Sequence, residues 1–186
     1  MNRLIAFSGL LLLSLSLQAQ TPAELFESQL LQQINALNVQ TYAPSGAPVA
    51  RQYQSGYRNE GTIEQVQQQG AANTALLIQS GQLQQATMQM TGAGNEAAVI
   101  QEGARQQYHL QLHGDHIETQ ILQQGYNNSI DQTLAVDGLS YTLVQQGNHN
   151  TIRQEETDPT AATGIMIRQQ GNGMKLIIRN STPLTP

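Results

Sequence analysis

The chain has 186 residues, a formal charge of −5, no cysteine, no tryptophan and only two phenylalanines. A domain of this composition gets no disulfide support and cannot fill an ordinary globular core with large apolar groups. The modest negative charge leaves no basic footprint for nucleic acid.

The N-terminus reads as an export signal spanning residues 1–19. Arg3 supplies a positive charge, Leu4 to Leu17 is apolar, and Leu17-Gln18-Ala19 forms a small-residue cleavage site. The run of about 14 apolar residues falls short of the ~20 that a spanning helix needs. The mature chain is expected to start near Gln20, cross the periplasm and act outside the cell. Thr21-Pro22-Ala23-Glu24 has the form of a helix start, with Thr as cap and Glu three residues on. Phe26, Leu30, Ile34 and Leu37 then share one face, which predicts a short amphipathic helix over 22–38. Such a helix suits either recognition by an export machine or a cover over the first structural unit. Pro44, Gly46 and Pro48 make 39–53 a linker, so 20–53 is an N-terminal segment distinct from the rest of the chain.

From Gln68 to Asn180 the chain repeats one phrase. Gln68-x-Gly70-x-x-Asn73-x-Ala75-x-Leu77-x-Gln79 is its fullest form, and later openers fall every eleven residues at Met90, Gln101, Leu112, Gln123, Leu134 and Gln145. After a two-residue insertion the phrase returns at Gln169-x-Gly171. A fixed short period signals a solenoid. Each unit offers a Gly turn and then alternating residues that suit a strand. The better period is 22, with Gln79, Gln101, Gln123, Gln145 and Gln169 in one column and Gly81, Gly103, Gly125, Gly147 and Gly171 in the next. The other half-unit is looser: Gln68, Met90, Leu112 and Leu134, with Gly70, Gly92, Gly114 and then Val136. The expected fold is all-β, a two-sheet β-solenoid of five to six stacked strand-turn-strand rungs over 54–180, ending in a tail at 181–186. A degenerate copy at Gln54 lies fourteen residues before Gln68, so a bulge or slipped register is expected around Gln65–Gln69.

Between the strands the alternation predicts a thin core of Ala75, Leu77, Ala97, Val99, Thr119, Ile121, Tyr141 and Leu143 against Ala86, Met88, Tyr108, Leu110, Ile130 and Ile152. The amides of Gln79, Gln101, Gln123, Gln145 and Gln169, and of Asn73, Asn95, Asn128 and Asn150, are expected to bond their counterparts one rung away. One outward face, with Leu76, Ile78, Ala98, Ile100, Leu122 and Val144, is apolar, and a contiguous stripe of that kind predicts a contact surface. The alternative is that the 22–38 helix covers it. Glu155-Glu156-Thr157-Asp158-Pro159 reads as a charged loop guarding the sheet or as an ordinary surface loop, and Arg168, Lys175 and Arg179 leave the last rung basic, either a solvated face or one suited to an anionic membrane surface or polysaccharide.

Catalytic and metal chemistry find little footing. His109, His113 and His116 cluster without the further ligands of a closed metal site. The glycines follow the turn period, not a phosphate-binding loop. Asp115, Glu118 and Asp137 do not form the carboxylate pair of a glycan-cleaving enzyme. No cofactor and no enzymatic role are expected.

The phrase Q-x-G-x-x-N-x-A-x-[IVL]-x-Q resembles the curlin repeat of bacterial curli subunits. Gln68/Gly70/Asn73/Ala75/Leu77/Gln79 matches at every position, and Met90/Gly92/Asn95/Ala97/Val99/Gln101 at all but the opener. Gln123/Gly125/Asn128/Ile130 and Gln145/Gly147/Asn150/Ile152 carry its first half, while Ile117, Leu139 and Met174 stand where Asn belongs. The degenerate half-units and basic last rung look more like the minor, nucleating subunit than the major one. The resemblance implies a secreted structural subunit of an extracellular amyloid fibre in the biofilm matrix. Its implied partners are other curli subunits and the outer-membrane export and assembly machinery. A monomeric β-solenoid that binds polysaccharide or ice is the alternative from another class.

Overall fold

The computed structural model describes residues 47–135, 137–157 and 164–180. Alternating side chains and regularly spaced glycines resolve into twelve strands. In chain order they are β1 Val49–Tyr57, β2 Glu60–Gln67, β3 Thr74–Gln82, β4 Gln85–Gly92, β5 Glu96–Ala104 and β6 Gln107–His113. They continue as β7 Glu118–Tyr126, β8 Ser129–Leu134, β9 Ser140–Asn148, β10 Thr151–Glu156, β11 Ile165–Asn172 and β12 Lys175–Asn180. Odd strands form one six-stranded sheet in the order β1-β3-β5-β7-β9-β11, and even strands form the other. All pairings are parallel. Each odd strand and the even strand after it make one rung, and six rungs stack into a two-sheet parallel β-solenoid.

The register follows the repeat. Thr74 lies opposite Glu96 and Glu96 opposite Glu118, steps of 22 residues. Tyr141 opposite Ile165 is a step of 24, the two extra residues being the insertion before β11. Val49 opposite Thr74 is a step of 25. The extra residues of that first step are taken up between β2 and β3, and Glu60–Gln67 pairs without interruption with Gln85–Gly92. The slipped register expected at Gln65–Gln69 is thus an enlarged turn, because a turn absorbs residues without breaking a ladder. Strand β1 also begins at Val49, inside the stretch read as linker. The predicted signal peptide and the predicted 22–38 helix lie outside the described residues.

The two sheets close on the expected core. Leu77, Met88, Val99, Leu110, Ile121, Ile130, Leu143 and Ile152 are all buried in one apolar cluster, joined by Met90, Leu112 and Leu134. Ile117 and Leu139 enter the same cluster. Apolar side chains at those turn positions plug the edge of the core where an amide would line it.

Two expectations are corrected. The stripe Leu76, Ile78, Ile100, Leu122 and Val144 is not an exposed contact surface: Leu76 and Ile100 are only 1% exposed. Leu76, Ala98, Ile100 and Leu122 form a second apolar cluster, with Ile78 packed against it. Burial of such groups is worth about 25 cal/mol per Å² of apolar area removed from water. Second, Glu155 and Glu156 are not in a loop. They end β10, and Glu156 is fully buried because the inward alternation of Ile152 and Gln154 runs on to it.

Candidate functional site

The sharpest feature is a column of glutamines threaded through the whole stack. Gln54 Nε2 donates to Gln79 Oε1 at 2.6 Å, and Gln79 to Gln101, Gln101 to Gln123 and Gln123 to Gln145 at 2.9 Å each. Gln145 donates to Gln169 Oε1 at 2.7 Å. Five bonds therefore join six rungs, and all donors point the same way. Gln79, Gln101, Gln123, Gln145 and Gln169 are buried, so each amide must find its partners inside the stack. The strand pairing holds them in line, since every one sits in the same register position.

Two residues further on, the glycine column turns the chain. Gly56, Gly81, Gly103, Gly125, Gly147 and Gly171 all have φ between 114° and 144°. A Cβ on Gly103 would lie 2.0 Å from the carbonyl oxygen of Gly125 one rung away. Only hydrogen fits there. The turn then passes through left-handed residues that carry side chains, among them Leu83, Arg105, Asn127 and His149. Each donates its N–H to the rung before, as Arg105 N does to Gln82 O at 2.9 Å, which offsets the unfavourable backbone.

The asparagines divide between the two turns. Asn128 Nδ2 bonds Gln124 O and Gly147 O, and Asn150 Nδ2 bonds Gln146 O and Gly171 O. Gln84 and Gln106 do the same on earlier rungs of that column, reaching Gly103 O and Gly125 O. At the opposite turn Asn73 Nδ2 reaches Gly92 O and Asn95 Nδ2 reaches Gly114 O. Backbone and side chain interlock: Asn150 N donates to Asn128 Oδ1, and Asn95 N to Asn73 Oδ1. Asn and Gln at this column thus saturate turn carbonyls that stacking would leave buried and unpaired.

Gln68 does not belong to the ladder. It is exposed in the enlarged turn, and Gln65 takes the position opposite Met90. Gly70 sits in the same turn with φ 137°. Among the amides that motif reading did not place in a ladder are Gln54 and Gln106. Counting back from Gln79 by the observed 25 and from Asn128 by 22 finds both.

The end rungs differ from the middle. Among the described residues, strands β1 and β2 face no strand on one side, nor do β11 and β12 on the other. Tyr53, Tyr57 and Val66 are exposed at the first end, and Met166, Met174 and Ile177 at the last. Among the described residues, Gln54 Oε1 accepts no hydrogen bond, while Gln169 Nε2 has only a long 3.4 Å contact to Thr151 O. Arg168, Lys175 and Arg179 are exposed on the last rung, Arg179 lying 3.8 Å from Glu155.

Histidine and carboxylate groups play structural parts. His109 Nδ1 lies 2.9 Å from Asp131 Oδ1, with Arg153 3.8 Å from the other carboxylate oxygen. Asp115 and Asp137 accept turn N–H groups of the rung before, from Ala93 and Asp115. Among the described residues no group of three His, Asp or Glu side chains is arranged to hold a metal ion. A shallow polar groove on the even sheet is lined by Gln85, Thr87, Gln107, His109, Ser129 and Asp131. Comparison with known protein families, with curated proteins and with solved structures finds no match for this chain.

Proposed function

We propose that this protein is a secreted structural subunit of a curli-type amyloid fibre that joins or nucleates growth by templating at its end rungs. The observation that carries the reading is the unbroken glutamine column, which leaves an acceptor at one end of the molecule and a donor at the other. Among the described residues each end also offers unpaired backbone groups along two strands, and an unpaired strand edge is a template for another chain. An incoming subunit extends two sheets, the glutamine column and the turn ladders in one step. Export through the outer-membrane curli machinery and anchorage at an anionic outer-membrane surface belong to the same reading.

The test is incubation of the purified chain from Gln20 onward, with thioflavin fluorescence and fibre diffraction as readouts. Sigmoidal growth, a lag shortened by preformed seeds, and reflections near ~4.8 Å and ~10 Å are expected. A chain that stays monomeric for days would instead favour a solenoid binding module, for which the polar groove is the natural ligand site. Seeding of a major curli subunit by this chain, and the reverse, separates nucleator from bulk subunit.

A further inference from the structure

The strand registers define what each residue of the last rung would meet if the first rung of a second copy continued the stack. Lys175 stands in the column Thr151, Ser129, Gln107, Gln85, Glu60, and Arg179 in the column Glu155, Thr133, Gln111, Gln89, Glu64. Arg168 stands in the column Val144, Leu122, Ile100, Ile78, Tyr53. Two of these three columns, each ending in a cation at the last rung, therefore begin with a carboxylate at the first. The third ends in arginine and begins with an exposed tyrosine.

We propose that the partner of the last rung is the first rung of a second copy of this chain, joined with a single polarity set by Lys175 against Glu60, Arg179 against Glu64 and Arg168 over Tyr53. This rests on the fibre reading above and adds to it the direction and the residues of the joint. Stacked strands lie ~4.8 Å apart, so paired columns bring the ammonium and guanidinium groups within reach of the carboxylates. The acceptors are already oriented: Gln89 Nε2 donates to Glu64 at 2.8 Å and Gln85 Nε2 to Glu60 at 3.4 Å, both from the second rung. An arginine over a tyrosine face is attracted by the ring.

The remaining charges of the first rung do not oppose the joint. Arg51 lies in the column that ends at Met166, and Arg58, stacked on Tyr57 at 4.9 Å, in the turn column that ends near Gly173. Inside the joint, Gln169 meets Gln54 and Gly171 meets Gly56, like over like as between internal rungs, while Asn180 meets Gln65 and Ile178 meets Ile63. Joining two first rungs would instead crowd Glu60 and Glu64 of both copies together, and joining two last rungs would crowd three cations of each. Like charges across an interface suppress the wrong pairing.

The test is elongation of sheared wild-type seeds by full-length monomer at low salt. Lys175→Glu/Arg179→Glu monomer is expected to elongate about tenfold more slowly, and the difference should shrink in ~0.5 M salt. A four-site variant that adds Glu60→Lys and Glu64→Lys restores opposite charges only across the joint. It should elongate its own seeds within about twofold of wild type, while both variants stay folded as monomers, with similar thermal midpoints slightly below wild type from the exposed contact with Glu155. Because that variant leaves the contact of residue 179 with Glu155 repulsive, recovery reports the joint and not the fold. Equal rates for all three proteins, or a four-site variant no faster than the two-site one, overturn the joint and leave the fibre reading standing. Wild-type protein that forms no fibres at all overturns both.

Discussion

Replacing Gln123 by alanine strikes the glutamine column at its middle. The side chain is fully buried, accepts from Gln101 Nε2 at 2.9 Å and donates to Gln145 Oε1 at 2.9 Å. Its removal orphans both neighbours, for Gln101 Nε2 has no other acceptor among the described residues. A buried orphan group costs on the order of 1–3 kcal/mol, so the pair should cost about 2–6 kcal/mol. Against a total stability of roughly 5–15 kcal/mol, that is a large share. Denaturant unfolding of dilute monomer, monitored by circular dichroism, measures it. Gln123→Met, close in volume, orphans the same two amides and should lose nearly as much, which separates the ladder from the cavity. Gln111→Ala, on an exposed position of β6, should stay within about 0.5 kcal/mol of wild type. A loss for Gln123→Ala no larger than that of Gln111→Ala would refute the reasoning.

Gly103→Ala places a methyl 2.0 Å from Gly125 O at a φ of 125°, so a loss of more than about 2 kcal/mol in the same unfolding assay is expected. An unchanged midpoint would mean the turns have room that the stack denies them. Leu122→Ala should cost about 2–4 kcal/mol because the side chain is buried in the second apolar cluster; a neutral result would return that face to solvent. Glu96 has its carboxyl pushed above the usual range, first by burial and then by Glu118 one rung away. A raised folded value means a contribution that is present below the unfolded pKa and lost as pH rises through the folded one. Glu118→Gln should therefore raise the thermal midpoint at pH 7 and bring no gain near pH 3. An equal gain at both pH values would contradict the repulsion.

The middle of the solenoid is legible in the sequence because its 22-residue step leaves the same residue types in the same columns. Gln79 to Gln145 and Gly81 to Gly147 stack by counting alone. The first step is harder. The phrase at Gln54 points to Gln68 as its neighbour, yet pairing is decided by Gln54 reaching Gln79 and by Ile63 lying opposite Met88, with the surplus residues turned out of the ladder. The asparagines are expected to bond each other from rung to rung, whereas their Nδ2 groups reach the glycine carbonyls of the turns and only Oδ1 accepts from the next asparagine's backbone N–H. Alternation alone assigns Leu76, Ile100 and Leu122 outward, which is correct for the sheet but says nothing of whether water reaches them. Glu156 is readable, since it continues the inward beat of Ile152 and Gln154; its charge makes a loop look natural.

The joint between molecules is where the account stands most exposed. Fibres grown from an equal mixture of ¹⁵N-labelled and ¹³C-labelled chains allow solid-state NMR to detect contacts between different molecules only. Gln169 Nε2 of one copy is predicted to correlate with the side-chain carbonyl carbon of Gln54 in another, with an intensity like that of the internal pairs in uniformly labelled fibres. Intermolecular signals that arise elsewhere, with that pair silent, would contradict it.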